Sequence, residues 1–227
     1  MLVFVAAERR ELEGLLGHMD GVAKLNWPLD FARRGRLNGV EIVTVANGPG
    51  PKLAGAAVDV VKEHQRMDGL VSIGFCGGLV GSLQACDIFV ATEVLGVGPA
   101  LAPASRKSFR QGRLLSIDRV ISTASEKTEL GKAGADAVEM EASAVAARAR
   151  EWKIPFYAVR VVTDTYAETF PLEFDQMRSK DGHFSRARIL GAALRRPFAL
   201  FPELIKLNSR TKRAARALGD FLADSRF

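Results

Sequence analysis

Short apolar runs alternate along the chain with segments of helical period, and their order sets the expected elements. Residues 2–7 form an uninterrupted apolar run that predicts a buried strand, and residues 9–18 predict a helix. Residues 31–37 and 40–46 flank Asn38-Gly39, a pair that tolerates the positive φ angles of a tight turn, and so predict a hairpin. A helix over 53–63 follows, then strands over 70–73 and 87–94, a loop over 100–111, a strand over 114–117, and a loop or short helix over 122–130. Residues 141–150 are Ala-rich and end in cations, as suits a helix carboxyl terminus. Trp152-Lys153-Ile154-Pro155 breaks that helix. Residues 156–162 are β-rich with one embedded charge, as in a strand covered on both faces. The alternation predicts an α/β protein: a three-layer fold with a central mixed β-sheet flanked by helices.

At 227 residues and 48% hydrophobic content, with mean hydropathy near zero, the chain reads as one soluble domain over residues 1–227, with a basic carboxy-terminal extension from about residue 186. Cys76 and Cys86 form no CxxC pair and read as buried thiols of a reducing cytoplasm. His18, His64 and His183 are isolated and HExxH is absent, so no metal site is expected. The opening apolar run is too short for a signal peptide and lacks a basic flank. Residues 69–86 carry no charge, but their glycines with Ser72, Ser82 and Gln84 predict strand-turn-strand and not a membrane span.

The net charge of +6 is concentrated in the tail, where Lys and Arg outnumber Asp and Glu by seven from Arg186 to Phe227. An apolar patch at 197–205, flanked by Arg195, Arg196 and Lys206, precedes a helical segment over 210–223. A solvated helix with ordinary cations on its outer face accounts for this pattern, and so does a peripheral contact with an anionic membrane surface. Nucleic acid is not an expected partner, because no aromatic ladder or reading motif accompanies the charge.

Two acidic motifs carry the chemistry. Val138-Glu139-Met140-Glu141-Ala142 puts carboxylates at a helix start, and Val159-Arg160-Val161-Val162-Thr163-Asp164 puts an Asp at the end of an apolar strand. Open α/β sheets bind ligands at such places. Structural roles compete at each position. Asp164 could cap a following helix containing Glu168, Glu139 and Glu141 could complement a helix dipole, and Arg160 reads as buried and paired with a carboxylate. Phosphate signatures fail: the segment from Gly50 to Gly55 has P-loop spacing, but Ala56-Ala57 replaces Lys-Ser/Thr, and Gly74-Phe75-Cys76-Gly77-Gly78 does not give GxGxxG. Those glycines suit either a tight turn or close approach of backbone to a small ligand.

These two motifs, with the glycine segment Gly74 to Leu79 and an amino-terminal strand leading to Glu11, resemble the nucleoside phosphorylase superfamily, and within it the methylthioadenosine/S-adenosylhomocysteine nucleosidases. The likeness spans residues 2–174. It implies that Asp164 protonates N7 of a departing purine and that Glu141 bonds the ribose hydroxyls. Glu11, in competition with Glu8, would activate the attacking water. Glycosidic cleavage builds oxocarbenium character on the sugar and negative charge on the base, so an acid on one side and a carboxylate on the other make chemical sense. Gly74, Phe75, Met140, Val120 and Ile121 would complete the substrate site. The resemblance also implies a homo-oligomer and no cofactor.

The chain departs from the family pattern in three places. Phe75 stands where relatives carry the small hydroxyl residue that phosphorolytic members use for phosphate, Val120 stands where an aromatic usually stacks on the purine, and the region between Val94 and Leu114 is short. With the apolar basic tail, these departures suggest release of adenine from an adenosine with a bulky apolar 5′ substituent, as in the hopanoid-associated phosphorylase-like proteins that act on adenosylhopane. The competing readings are a nucleosidase for small soluble 5′-thio-adenosines, a phosphate-dependent phosphorylase, and a nucleoside-binding protein without turnover.

Overall fold

The computed structural model describes residues 1–169 and 197–227, without the side chains of residues 197–207. Its axis is β1 (Leu2–Ala6), whose alternation sends Val3 and Val5 to one face of the sheet and Phe4 and Ala6 to the other, all buried. β4 (Val40–Ala46) and β5 (Gly69–Gly78) pair in parallel on either side of β1, and β10 (Phe156–Asp164) runs parallel beyond β5. β3 (Phe31–Leu37) and β2 (Met19–Lys24) extend one edge as antiparallel strands.

The other side of the sheet closes on itself. β6 (Ile88–Val94) is antiparallel to β10, β8 (Arg110–Ser116) is parallel to β6, and β9 (Ala137–Glu139) joins β8 to the end of β5. β7 (Gly98–Pro99) hangs on β6. The circuit of β10, β6, β8, β9 and β5 closes that half among the described residues, with only the two-residue β7 at its rim. The sheet is mixed, as its hydrophobic runs predict, while the closure is an addition, because a strand's own sequence does not specify its partner.

Helices cover both faces. α2 (Pro51–His64) and α4 (Ala142–Trp152) bury Val58, Val61, Val145 and Ala149 against Val3, Val45 and Leu70. On the opposite face α1 (Arg9–Leu16) and α5 (Pro197–Asp224) bury Leu12, Leu15, Leu218, Phe221 and Leu222 against Phe4, Ile73 and Val161. α1 and α5 cross with their backbones in contact: a Cβ on Gly14 would lie 2.1 Å from the Ala215 carbonyl oxygen, and one on Gly219 would lie 2.1 Å from the Gly14 carbonyl carbon. From Thr211 onward the basic segment is therefore core on one side, with Lys212, Arg213 and Arg216 exposed on the other. The apolar patch at 197–205, its flanking cations and His183 lie outside the described residues and side chains.

Several boundaries differ from expectation. The strand expected over 70–73 continues through Gly78, so the glycine segment is strand and not a turn; Gly74 sits in it at φ 149°. β8 begins at Arg110 where a loop was expected, because it pairs along β6. β2, β7 and β9 were not expected, being short or exposed along most of their length. The segment over 122–130 contains α3 (Ala124–Lys132), whose first turn is capped by the Thr123 hydroxyl accepting from the Glu126 amide at 3.3 Å.

Candidate active site

β1, β4, β5 and β10 run in one direction, so their carboxyl ends open on the same side of the sheet. A pocket lies there, the place where α/β sheets bind ligands. It is lined from β1 and α1 by Ala7, Glu8, Arg10 and Glu11, from the β4 loop by Pro49, and from β5 by Phe75, Cys76 and Gly77. Arg119, Val120 and Ile121 after β8, Val138 to Glu141 between β9 and α4, and Thr163 and Asp164 of β10 complete it.

Asp164 reaches this pocket through an irregularity in the ladder. Val162 pairs with Cys76 and Asp164 with the next residue, Gly77, so one extra residue in β10 re-aims the carboxyl. The Thr163 hydroxyl donates to Asp164 Oδ1 at 2.8 Å, and the Lys127 ammonium of α3 donates to Oδ2 at 2.5 Å. Burial pushes the carboxyl above its usual range, and the neighbouring ammonium opposes that shift. A Cβ at Gly77 would sit 3.0 Å from Oδ2, which explains a glycine facing the acid.

Glu141 is the N-cap residue of α4 and accepts a hydrogen bond from the Gly50 amide at 2.8 Å. Thus the segment with P-loop spacing touches the site through one backbone N–H, directed at a carboxylate. Burial, then the nearby charges of Glu139 and Glu11, push Glu141 up to about 8. Glu139 has a different task. It accepts from the Glu141 and Ala142 amides at 2.9 Å, from the Ser116 hydroxyl, and from buried Arg160 Nη2 at 2.5 Å. This is the helix-terminus role and the buried pairing expected for Glu139 and Arg160.

Glu11 is 6% exposed and accepts from the amides of Ala7 and Glu8 at 2.8 and 2.9 Å and from that of Phe75 at 3.1 Å. Its carboxyl is raised, burial being the main cause and the backbone donors opposing it. Glu8 also lines the pocket but pairs with Arg10 at 2.8 Å. Gly74 is a correction: it does not line the pocket. A Cβ there would meet Glu11 Oε1 at 2.9 Å, so the glycine makes room for the carboxylate behind the lining. Phe75 lines the pocket beneath the Arg10 guanidinium, 5.9 Å from its ring centroid. Met140, Val120 and Ile121 form an apolar wall, with Ile121 anchored among Leu79, Ala135 and Val138. The short segment after Val94 is no part of this wall: Leu101 bridges to Tyr157 near the opposite end of β10, and Ala104 to Arg226.

The pocket contains or abuts residues to which the sequence analysis gave no role: Gly77, Thr163, Arg119 and, behind Asp164, Lys127. Only the Thr123-to-Glu126 capping spacing hinted at α3. Nothing in a lone Lys signals complete burial, since Lys is normally exposed. Among the described residues no cluster of His, Cys, Asp and Glu could hold a metal ion.

The 5′-methylthioadenosine/S-adenosylhomocysteine nucleosidase of Shewanella loihica is 26% identical over 189 residues, covering 69% of this chain and 82% of the relative. Among solved structures, the nucleosidase of the same name from Neisseria meningitidis, in complex with methylthio-immucillin-A, superposes with a TM-score of 0.72 at 20% identity, covering 98% of this chain and 96% of the other. A futalosine hydrolase mutant of Helicobacter pylori superposes with a TM-score of 0.69 at 14% identity, covering 97% and 96%. These likenesses establish a shared fold. The family model of the phosphorylase superfamily matches residues 28–192, and the chain belongs to that superfamily.

Proposed function

We propose that the chain is a purine nucleosidase that breaks the N-glycosidic bond of a 5′-substituted adenosine and releases adenine. The observation that carries this reading is the convergence of Asp164, Glu141 and Glu11, from three separate elements, on one pocket at the carboxyl ends of the strands. Superfamily membership and the nucleosidase relatives support it. Asp164 gives the base its proton as the C1′–N9 bond breaks, Glu141 holds the ribose hydroxyls, and Glu11 takes the proton of the attacking water. Val120, Ile121, Met140 and Phe75 pack against the base and sugar. A positioned acid of this kind contributes about 10²–10⁴-fold.

The finer reading is that the 5′ substituent is bulky and apolar, of the adenosylhopane type. Its supports are the apolar wall of Val120, Ile121 and Met140 and the cations exposed on α5, which suit peripheral contact with the inner face of a membrane. The nucleosidase relatives favour the second reading, a small soluble 5′-thio-adenosine. We read the protein as a cytoplasmic homo-oligomer that uses no cofactor. Purified protein incubated with a panel of 5′-substituted adenosines, followed by chromatography of the base, tests the activity. Absence of adenine from every substrate removes it. Sedimentation with anionic vesicles at low salt tests the membrane contact, with Lys212, Arg213 and Arg216 replaced by Glu as the control. Binding that survives this charge reversal, or none by the unaltered protein, speaks against α5 as the contact.

A further inference from the structure

Lys127 is the one buried ammonium described in this structure that sits against the proposed acid, and its surroundings are unusual for a lysine. It is 0% exposed, and its Nζ is 2.5 Å from Asp164 Oδ2, 3.0 Å from the Glu168 carbonyl oxygen and 3.1 Å from that of Thr165. The three acceptors match the three N–H groups of an ammonium. Lys127 does not line the pocket; Asp164 stands between them. An Asp held in an ion pair has no proton of its own to give a departing base, whereas the ammonium behind it has one.

We propose that Lys127 is the proton reservoir for Asp164. It acts as a positioning residue that keeps the carboxylate ionised at rest and resupplies the proton that Asp164 delivers to the purine. The inference rests on the nucleosidase reading. As the C1′–N9 bond breaks, its electron pair leaves with the base; Nζ–H passes to Asp164 Oδ2, and the carboxyl so formed gives its proton to N7. The pair ends as neutral amine and carboxylate. Water bonds to C1′ and its proton goes to Glu11; solvent later takes that proton from Glu11 and returns one to Lys127. A lysine can do this and an arginine cannot, because the guanidinium does not release its proton near neutral pH.

The charged groups facing the pair are few. Among the described residues, the Glu168 carboxylate, whose charge raises Asp164, is held by the Thr165 hydroxyl and by Arg210 of α5, and Glu126 pairs with Arg119. None stands between Nζ and Oδ2.

The test compares K127R and K127M with unaltered protein, following adenine release from 5′-methylthioadenosine between about pH 5 and about pH 10. K127R keeps a cation beside Asp164 and is expected to bind the nucleoside but lose about 100-fold or more in kcat. K127M leaves Asp164 buried without its cation, so the carboxyl holds its own proton. Its rate is expected to recover toward low pH, with the alkaline limb at least about one unit below that of the unaltered enzyme. Near-normal kcat in K127R, or a K127M profile superimposable on the original, would make Lys127 purely structural. If neither variant folds, carbon-13 carboxyl and nitrogen-15 ammonium spectra of the unaltered protein decide. Asp164 ionised and Lys127 charged at pH 7, titrating together with the alkaline limb of kcat/KM, support the reservoir; a protonated Asp164 there overturns it. No base release by unaltered protein from any adenosine removes the reaction and the reservoir together, whereas full activity of K127R removes the reservoir alone.

Discussion

Two buried ion pairs flank the pocket, with the same N···O distance of 2.5 Å and nearly the same burial, yet they differ in what a proton can do. In the pair of Arg160 and Glu139, on the proposed sugar side, the cation is permanently charged and the carboxylate is engaged with the α4 amides and the Ser116 hydroxyl. In the pair of Lys127 and Asp164, on the proposed base side, the cation is an ammonium and not a guanidinium, and the carboxylate opens on the pocket. A buried salt bridge is therefore not a role in itself. Which cation is used, and what else its anion touches, separates a brace from a proton-handling device.

The largest expected effect comes from breaking the brace. Arg160→Met leaves Glu139 buried without its cation and should cost about 3–5 kcal/mol, read as a fall in urea midpoint at unchanged slope. Lys127→Met should cost less, because Asp164 can take up a proton in place of its partner. Equal losses for the two variants would erase the distinction between the pairs.

Next in size is Asp164→Asn, which removes the proton path but keeps the shape of the pocket. Adenine release should fall by about 10²–10⁴-fold while nucleoside affinity stays within about tenfold, near 1.4 kcal/mol. Turnover close to normal in this variant would exclude Asp164 from the chemistry.

The contrast between the two pairs was half legible in the sequence. Arg160 is the single charge in an apolar strand run, so its burial and need of a carboxylate follow from the pattern. Asp164 was marked by its place at the end of that same run. Lys127 carried no such mark, because its segment has few apolar residues and its burial is imposed by β10 and the residues after it. Gly74 was misplaced for a related reason: glycine spacing suggested contact with a ligand, while the space it leaves is taken by Glu11 from an element more than sixty residues away. Charge counting separated the basic tail from the fold, whereas the helical spacing of Ala214, Leu218, Phe221 and Leu222 carried the signal that it packs.

A smaller effect distinguishes Glu141 from its neighbour Glu139. Glu141 is raised from 4.5 to about 8, so between those values the folded protein holds a proton that the unfolded chain has lost. Stability should accordingly fall as pH rises through that window, by at most about 1.4 kcal/mol per unit. Ribose hydroxyls donating to Glu141 favour its ionised form, so binding should release a proton and nucleoside affinity should rise with pH across the same range. Calorimetry of the Asp164→Asn variant in buffers of different ionisation enthalpy measures that proton. Glu141→Gln should abolish its release; a proton count unchanged by that substitution would place the titration elsewhere.

The smallest expected effect is that of inorganic phosphate, and it tests whether the sugar side has any cation to spare. Arg160 is committed to Glu139, Arg10 to Glu8 and the face of Phe75, and Arg119 to Glu126. Among the described residues lining or bracing the pocket, a phosphate dianion would have to displace a carboxylate from one of these guanidinium groups, and the Phe75 ring offers it no hydrogen-bond donor in exchange. Hydrogen-bonded charge pairs of this kind favour planar, bidentate partners, so an incoming phosphate competes directly for the same donors. Adding phosphate should therefore leave turnover within about twofold and yield the free sugar. Stoichiometric sugar 1-phosphate would show that Arg10 or Arg119 exchanges its carboxylate for phosphate during turnover, which would make water the wrong nucleophile and relieve Glu11 of its proposed part.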